Sequence, residues 1–146
     1  METWPAGDRE VVHHPGAAAI VALHGVDVVL VRQLREAIRS MTLEIPAGIL
    51  DVAGEPAEDC AVRELREEAG YLAEGVERLG LIHPSPGFSD ERIELFTCRA
   101  KPAGEPEDGI EVVMVPVSHA LQSIRDGRIT DGKTVAGLLL AADRGR

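Results

Sequence analysis

Three glutamates, Glu64, Glu67 and Glu68, fall within five consecutive positions of the 146-residue chain. On a helix, a rotation of about 100° per residue places Glu67 and Glu68 on either side of Glu64, inside an arc of about 100°. Carboxylates this close repel one another unless a cation lies among them. Since no cysteine or histidine stands at ligand spacing, such oxygen ligands favour Mg²⁺ or Mn²⁺ over zinc.

The sequence around these glutamates predicts a helix that would hold them rigidly. Pro56 suits a first helical turn, and the acidic residues Glu58 and Asp59 complement the helix dipole there. Gly70 ends the run where a left-handed cap is needed. A solvated acidic helix face is the simpler interpretation, and carboxylate spacing alone favours it.

The wider segment changes that interpretation, because residues 48–71 resemble the Nudix box. Its pattern is Gly, five residues, Glu, seven residues, then Arg-Glu-aliphatic-any-Glu-Glu-any-Gly-aliphatic. From Glu55 onward the match is close, with Tyr71 as an aromatic residue in an aliphatic slot. Six residues instead of five separate Gly48 from Glu55, and a loop that contains Gly54 tolerates such an insertion.

The resemblance implies roles for particular residues of the box. Glu64, Glu67 and Glu68 would hold divalent metal, with the backbone carbonyl of Ala47 as a further ligand. Arg63 would brace the box by pairing with Glu55 or Glu67. Mg²⁺ keeps several waters and bridges carboxylates to substrate phosphates, so a pyrophosphate compound is the expected substrate.

Length and composition limit the other possibilities. A chain of 146 residues, 45% of them hydrophobic, predicts a single domain over residues 1–146. A net charge of −10 without any basic cluster argues against nucleic-acid binding. Cys60 and Cys98 lack a CxxC partner and indicate thiols of a reducing compartment. Without a signal-peptide pattern or an apolar run of about 18 residues, we expect a cytoplasmic protein that does not bind membranes.

Periodicity and turn residues predict an α/β sandwich with a mixed sheet, as the Nudix resemblance also implies. The predicted strands are 17–23, 28–31, 43–46, 76–83, 93–99 and 111–117. After the box helix, Ser118 is expected to cap a helix over 119–126 that stops at Gly127, and a closing helix covers 134–143. Between the last two strands, residues 101–109 form an acidic loop rich in Gly and Pro, which we expect to be mobile.

The flanks of the box resemble the ADP-ribose pyrophosphatase branch of the family. The upstream runs are VRQLR at 31–35 and LEIPAG at 43–48, and the downstream run is SPGFSDE at 85–91. This branch implies hydrolysis of ADP-ribose to AMP and ribose 5-phosphate, with substrate contacts from Arg35, Ser85, Gly87 and Glu91. The five histidines have no ligand spacing and are expected to be structural or solvated.

The attacking water also needs a base, and the branch usually takes it from a glutamate on the loop before the last strand. That loop offers Glu105, Glu107 and Asp108, among which Glu107 is favoured. Family members form homodimers by exchanging additional N-terminal strands, whereas only about sixteen residues precede the first core strand here. A homodimer is expected, and its swapped arrangement stays open. The alternatives are a Nudix hydrolase of another nucleoside diphosphate sugar or dinucleotide, and a non-catalytic ADP-ribose sensor.

Overall fold

The computed structural model describes residues 2–4, 7–107 and 109–144. A small antiparallel pair, β1 (Glu2–Trp4) and β2 (Gly7–Arg9), precedes the main body of the protein. The main sheet contains β3 (Ala17–His24), β4 (Asp27–Arg35), β5 (Ser40–Glu44), β6 (Ala47–Ile49), β7 (Tyr71–Ile82), β8 (Ile93–Pro102) and β9 (Glu111–Pro116). The helices are α1 (Ala57–Ala69), α2 (Val117–Arg125) and α3 (Gly132–Arg144), with a short 3-10 turn at Glu36–Ile38.

Strand β3 lies at the centre of this mixed sheet. It runs parallel to β8 over seven residue pairs and antiparallel to β6 over three. It pairs with β4 only at the turn, through two residue pairs, Leu23 with Val28 and His24 with Asp27. The rest of β4 pairs with β5 and β9 instead. The predicted hairpin therefore separates, and the first half of β3 pairs with β6 instead. This places Ala47 and Gly48 at the sheet edge that contacts α1.

Apolar side chains cover both faces of β3, which explains its unbroken run of apolar residues. On one face Ala18 and Ile20 belong to a buried cluster with Leu65 of α1. On the other face Ala19 and Val21 belong to a second cluster that includes residues of α2 and α3. The predicted α/β sandwich with a mixed sheet is confirmed.

Several element boundaries differ from the predicted ones. Strand β7 begins at Tyr71, directly after the α1 cap, because its first residues pair with the end of β8. The expected cap at Ser118 is wrong, since α2 begins at Val117 with Pro116 at its N-cap position and no side-chain capping bond. Helix α3 begins two residues before the predicted Thr134, whose amide donates to the Asp131 carboxylate at 3.2 Å.

The acidic loop begins later than predicted, because residues 101 and 102 still belong to β8. Its expected mobility stays a prediction. None of the helices in the described part of the chain is both long and apolar enough to cross a membrane.

Candidate active site

The end of α1 is fixed by a glycine that serves two purposes. Gly70 adopts a left-handed conformation with φ of 74°, and its N–H donates to the carbonyl of Arg66. A Cβ at this position would lie 2.1 Å from the carbonyl oxygen of Gly104. Further along the same loop, the Glu107 N–H donates to the Glu67 carbonyl at 2.8 Å. The acidic loop therefore packs against the C-terminal turn of the helix that bears the carboxylates.

A second glycine allows β6 to approach the same helix. A Cβ on Gly48 would lie 2.3 Å from Oε1 of Glu64, which is far inside van der Waals contact. Only glycine leaves room for this carboxylate in its present position at the crossing of β6 and α1. Close packing against Glu64 thus explains the glycine that opens the box. The six-residue spacing between Gly48 and Glu55 does not prevent this close packing.

Two carboxyl groups of α1 lie in surroundings that make their ionisation costly. Glu68 is 9% exposed, and its one protein hydrogen bond in the described structure comes from the Ala47 N–H at 3.4 Å. Burial, followed by repulsion from Glu64, raises the pKa of Glu68 to about 7. Burial likewise raises the pKa of Glu64. A divalent cation would relieve both costs, so this donor set fits the hard cation that the sequence predicts.

Arg63 braces the box as predicted, and it engages both of the expected partners. Its guanidinium donates two hydrogen bonds of 3.0 Å to Glu55, one of 3.0 Å to Glu64 and one of 3.1 Å to Glu67. The hydrogen bonds to Glu55 raise the pKa of Arg63 further, so the arginine is always charged. Glu67 is accordingly turned towards Arg63. Within residues 2–4, 7–107 and 109–144, no three Asp, Glu, His or Cys side chains are arranged to hold a metal ion.

Glu64 and Glu68 open into a cleft of about 590 Å³ between α1, β4, β5 and the start of α3. Arg35 and Glu91, both predicted to contact substrate, also line it, as does the predicted backbone ligand Ala47. Several other lining residues were not predicted to belong to the site, and the polar or charged ones among them are His14, Gln33, Glu44, Asp51, Asp131 and Lys133. Acidic and basic side chains therefore share one cleft.

The basic side of the cleft is organised around a buried carboxylate. Glu44 is 1% exposed and accepts two hydrogen bonds of 2.7 Å from Arg35 and one of 2.5 Å from Lys133. Burial alone would raise its pKa, but the hydrogen bonds from Arg35 and the charge of Lys133 lower it to about 2. Asp131 accepts from Lys133 at 3.0 Å, and Thr42 also donates to Glu44.

The turn at 85–91 reaches the cleft only through its last residue, beside the preceding Pro84. Pro84 and Glu91 line the cleft, whereas Gly87 lines a separate groove of about 490 Å³ beside Phe88 and Asp90. The Ser85 carbonyl accepts the amides of Phe88 and Ser89, which closes the turn. The structure thus brings Glu91 together with Arg35 and leaves Ser85 and Gly87 outside this group.

Two of the three candidate bases are also outside the cleft. Glu105 and Glu107 are both exposed, and neither lines the cleft. Asp108, the third candidate, lies outside the described residues. Any catalytic use of this loop would require a carboxylate to swing over the end of α1 from its present position.

Comparison with known proteins decides the family. The sequence model of the Nudix domain matches residues 12–137. The chain belongs to the Nudix family. The Nudix box is therefore the segment from Gly48 to Tyr71, and α1 is the Nudix helix.

The relatives of the chain include proteins with different activities in their names. The chain is 35% identical to an ADP-ribose pyrophosphatase of Bacillus subtilis (strain 168), over 88% of this chain and 73% of the relative. An ADP-ribose pyrophosphatase of Mycobacterium tuberculosis (strain ATCC 25618 / H37Rv) is 38% identical, with 90% and 67% covered. A methanol dehydrogenase activator of Bacillus methanolicus is 40% identical, with 87% and 72% covered. A crystal structure of an ADP compounds hydrolase superposes with a TM-score of 0.78 at 22% identity, covering 88% of this chain and 71% of the other. That structure supports the Nudix fold.

Two of the residues that sequence reasoning missed, Lys133 and Asp131, are far along the chain from the predicted site. Lys133 and Asp131 lie about ninety residues after Glu44, and a sequence pattern does not reveal such a pairing. Glu44 stands inside the quoted LEIPAG run, and an acid between buried strand residues was the available signal. His14 was assigned a structural or solvated role, yet it lines the cleft of this Nudix domain.

Proposed function

We propose that this protein hydrolyses the pyrophosphate bond of ADP-ribose, giving AMP and ribose 5-phosphate. The observation that carries the proposal is the cleft, where Glu64 and Glu68 of the Nudix helix share one cavity with Arg35 and Lys133. A pyrophosphate needs a metal-binding acidic side and an anion-binding basic side. The two relatives that are called ADP-ribose pyrophosphatases support this choice of substrate.

We further propose Mg²⁺ as the cofactor. Glu64 and Glu68 would hold it with the Ala47 carbonyl, and Glu67 would join them after exchanging its contact with Arg63. When bound, the metal would neutralise phosphate charge and lower the pKa of the attacking water. Cleft-facing carboxylates with raised pKa values support the site, because ionisation is costly there without a cation.

The chain's own residues would bind and orient the substrate. Arg35 uses two guanidinium nitrogens on Glu44, and the half-exposed remainder of the group is available to a phosphate. Glu91 would accept hydrogen bonds from ribose hydroxyls. Ser85 and Gly87 stay proposed contacts, and reaching the cleft would require the turn to move.

We propose Glu107 as the general base that takes the proton of the attacking water. The bond from the Glu107 N–H to Glu67 anchors this part of the loop at the Nudix helix. Glu107→Gln should reduce kcat by about 10² to 10⁴-fold with little change in KM, as expected for a lost general base. Glu105→Gln is the matched control and should be mild. Normal turnover in both variants would remove the loop from the mechanism.

The deciding experiment is a substrate panel with Mg²⁺ and with EDTA. ADP-ribose, GDP-mannose, NADH and diadenosine diphosphate would be incubated with the protein, and products would be separated by anion-exchange chromatography. We expect AMP and ribose 5-phosphate from ADP-ribose, at the highest kcat/KM of the panel and only with metal. A higher kcat/KM for another compound would establish the alternative hydrolase.

A regulatory role is the second candidate, because the 40% identical relative is named as an activator of another enzyme. Tight binding of ADP-ribose without turnover on the panel would support a non-catalytic sensor. The intact glutamates of the Nudix helix favour catalysis.

Three broader features stay proposals: a single Nudix domain over residues 1–146, a homodimer and a cytoplasmic location. The free, buried thiols of Cys60 and Cys98 support a reducing compartment. Exposed apolar side chains support the dimer, including the cross-strand pair Leu34 and Met41. Sedimentation velocity would test the dimer directly.

A further inference from the structure

We propose that His14 is a substrate-binding residue that, together with Glu91, recognises two adjacent hydroxyl groups of a ribose. This inference rests on the proposed function for the presence of ribose in the substrate. His14 and Glu91 line the same cleft as the Nudix carboxylates. No feature of the Nudix box assigns a role to this histidine.

The hydrogen bonds of the His14 ring define which nitrogen faces the cleft. The Gly16 N–H donates to Nδ1 at 3.0 Å. Since a backbone amide only donates, Nδ1 must be the acceptor nitrogen, and the neutral ring carries its proton on Nε2. The Nε2–H group therefore points towards Glu91 as a hydrogen-bond donor.

The two side chains lie side by side without a direct hydrogen bond between them. Nε2 of His14 lies 3.7 Å from Oε1 of Glu91, which is longer than a direct hydrogen bond. The side chains are 23% and 28% exposed, so both are accessible from the cleft. A donor beside a carboxylate matches two neighbouring hydroxyls, because one hydroxyl oxygen accepts from Nε2–H while the other hydroxyl donates to Glu91.

A set of hydrogen bonds holds both residues in place before any ligand arrives. The Val12 N–H donates to the Phe88 carbonyl at 2.8 Å, and the Ser89 hydroxyl donates to the Val12 carbonyl at 2.8 Å. The same hydroxyl accepts the Glu91 N–H at 3.1 Å. The segment before β3 and the turn at 85–91 are thus joined directly beside the pair.

Asp90 of the turn at 85–91 adds two further bonds to the segment before β3. Its Oδ1 accepts the His14 N–H at 2.8 Å, and its Oδ2 lies 2.8 Å from Nδ1 of His13. The bond with His13 holds the pKa of Asp90 below its usual range. The backbone of His14 is therefore tied to the residue next to Glu91, which gives the pair a preformed geometry.

A purely structural role for His14 makes a different prediction, and two substitutions separate the roles. His14→Asn places an amide oxygen near the position of Nδ1, so it can still accept the Gly16 N–H but has no group at the position of Nε2. His14→Gln reaches the position of Nε2 with an N–H donor. Binding should follow the Nε2 position, whereas the stability of the turn should follow Nδ1.

The test measures binding by calorimetry in EDTA, so that metal and turnover do not enter. The probes are ribose 5-phosphate and AMP, together with 2-deoxyribose 5-phosphate and 2′-deoxy-AMP, which lack one of the paired hydroxyls. We expect His14→Asn to weaken one of the two ribose-containing probes by about 10-fold, the loss of one hydrogen bond to a bound ligand. The affected probe identifies which ribose of the substrate is bound. Equal binding of the corresponding deoxy probe to wild type and variant would place Nε2–H on the 2-hydroxyl, whereas the same loss of about 10-fold would place it on the 3-hydroxyl.

His14→Gln should retain most of the affinity, and His119→Asn on the exposed face of α2 is the control that should change nothing. Equal binding of both ribose probes to wild type and His14→Asn would overturn the inference, as would absence of binding to wild type. Equal weakening by His14→Asn and His14→Gln with a lowered Tm would assign a structural role instead. The panel experiment keeps the two hypotheses apart: if ADP-ribose is not hydrolysed but ribose binding depends on His14, the proposed function fails and this inference stands.

Discussion

Two buried glutamates in one cleft, Glu44 and Glu68, have opposite electrostatic states. They are 1% and 9% exposed, so burial alone would raise the pKa of each carboxyl group. The pKa of Glu44 is nevertheless lowered to about 2, whereas the pKa of Glu68 is raised to about 7. Partners account for the difference, since Glu44 has Arg35, Lys133 and Thr42 within hydrogen-bonding distance and Glu68 has one long bond from a backbone amide.

The contrast separates a charge that supports the fold from a charge that is available for chemistry. The Glu44 cluster is complete without a ligand and can fix the positions of Arg35 and Lys133. Ionised Glu68 beside Glu64 is incomplete and costs stability until a cation binds. Opposite effects of substitution on stability and on activity should follow from this difference.

The largest expected effect is on activity in Glu68→Gln. Losing one anionic ligand should lower kcat/KM by at least about 10²-fold at ordinary Mg²⁺ concentrations. In metal-free protein, however, the same substitution should raise the free energy of unfolding at pH 8 by about 2 kcal/mol. Because the folded-state pKa is raised from 4.5 to about 7, the neutral carboxyl favours folding below pH 4.5, and this advantage is lost as the pH rises to 7.

Steady-state kinetics and thermal unfolding in EDTA at pH 5 and pH 8 measure both effects. The control is Glu58→Gln, the same change at an exposed position in the first turn of the Nudix helix. Wild-type turnover in Glu68→Gln would refute the metal assignment. A lower metal-free Tm would show that Glu68 is a satisfied structural charge like Glu44.

Glu44→Gln should show the reverse balance, with its main effect on stability. Removing one partner of a buried ion pair costs about 3 to 5 kcal/mol, or a decrease in Tm of about 10 °C for a chain of this length. The lowered pKa contributes stability above pH 4.5, and this contribution is lost as the pH falls towards 2. Denaturant unfolding at several pH values measures this effect. The free energies of unfolding of wild type and variant should become more similar as the pH falls from 4.5 towards 2.

Glu111→Gln provides the matched control, because Glu111 pairs with Arg32 on the surface of the same sheet. Its Tm should stay within about 2 °C of wild type, as expected for an exposed pair. Similar losses in both variants would mean that the Glu44 cluster adds no special stability.

The sequence predicted these two regions unequally. The Nudix helix was predicted with its carboxylates and its Gly70 cap because every signal lies within about twenty residues of chain. The Glu44 cluster was missed because Lys133 and Asp131 approach only after α3 has packed against the sheet. The hairpin of β3 and β4 was predicted from the residues of these two strands alone. The two strands separate beyond the turn because they pair with β6, β8 and β9, which lie elsewhere in the sequence. Short-range geometry was therefore accessible from sequence, and long-range pairing was not.

A smaller effect should come from the close contact between β6 and the Nudix helix. In Gly48→Ala the new Cβ would displace the Glu64 carboxylate, which otherwise lies 2.3 Å from that position. We expect a roughly 10-fold fall in kcat with a changed Mg²⁺ dependence, since positioning of a ligand is lost while its charge remains. Gly25→Ala, in an open turn with nothing within 4 Å, is a control for the fold alone, although its φ of 62° will cost some stability. Unchanged Mg²⁺ dependence in Gly48→Ala would separate Glu64 from metal binding.

The smallest effect tests whether the completed cluster also binds substrate. Arg35→Ala should raise KM for ADP-ribose about 10-fold and change kcat by less than about 3-fold, because a phosphate contact is shared by ground and transition states. Lys133 would still compensate part of the Glu44 charge, so the loss of stability should be smaller than in Glu44→Gln.

Arg35→Lys sharpens this last test. Lysine keeps the charge but not the two-pronged bond to Glu44, so an intermediate KM is expected. Arg32→Ala is the neighbouring control on β4, where the arginine pairs with Glu111 and does not line the cleft. If Arg35→Ala lowered kcat with an unchanged KM, the Arg35 guanidinium would act in the transition state. The Glu44 cluster would then take part in the chemistry as well as supporting the fold.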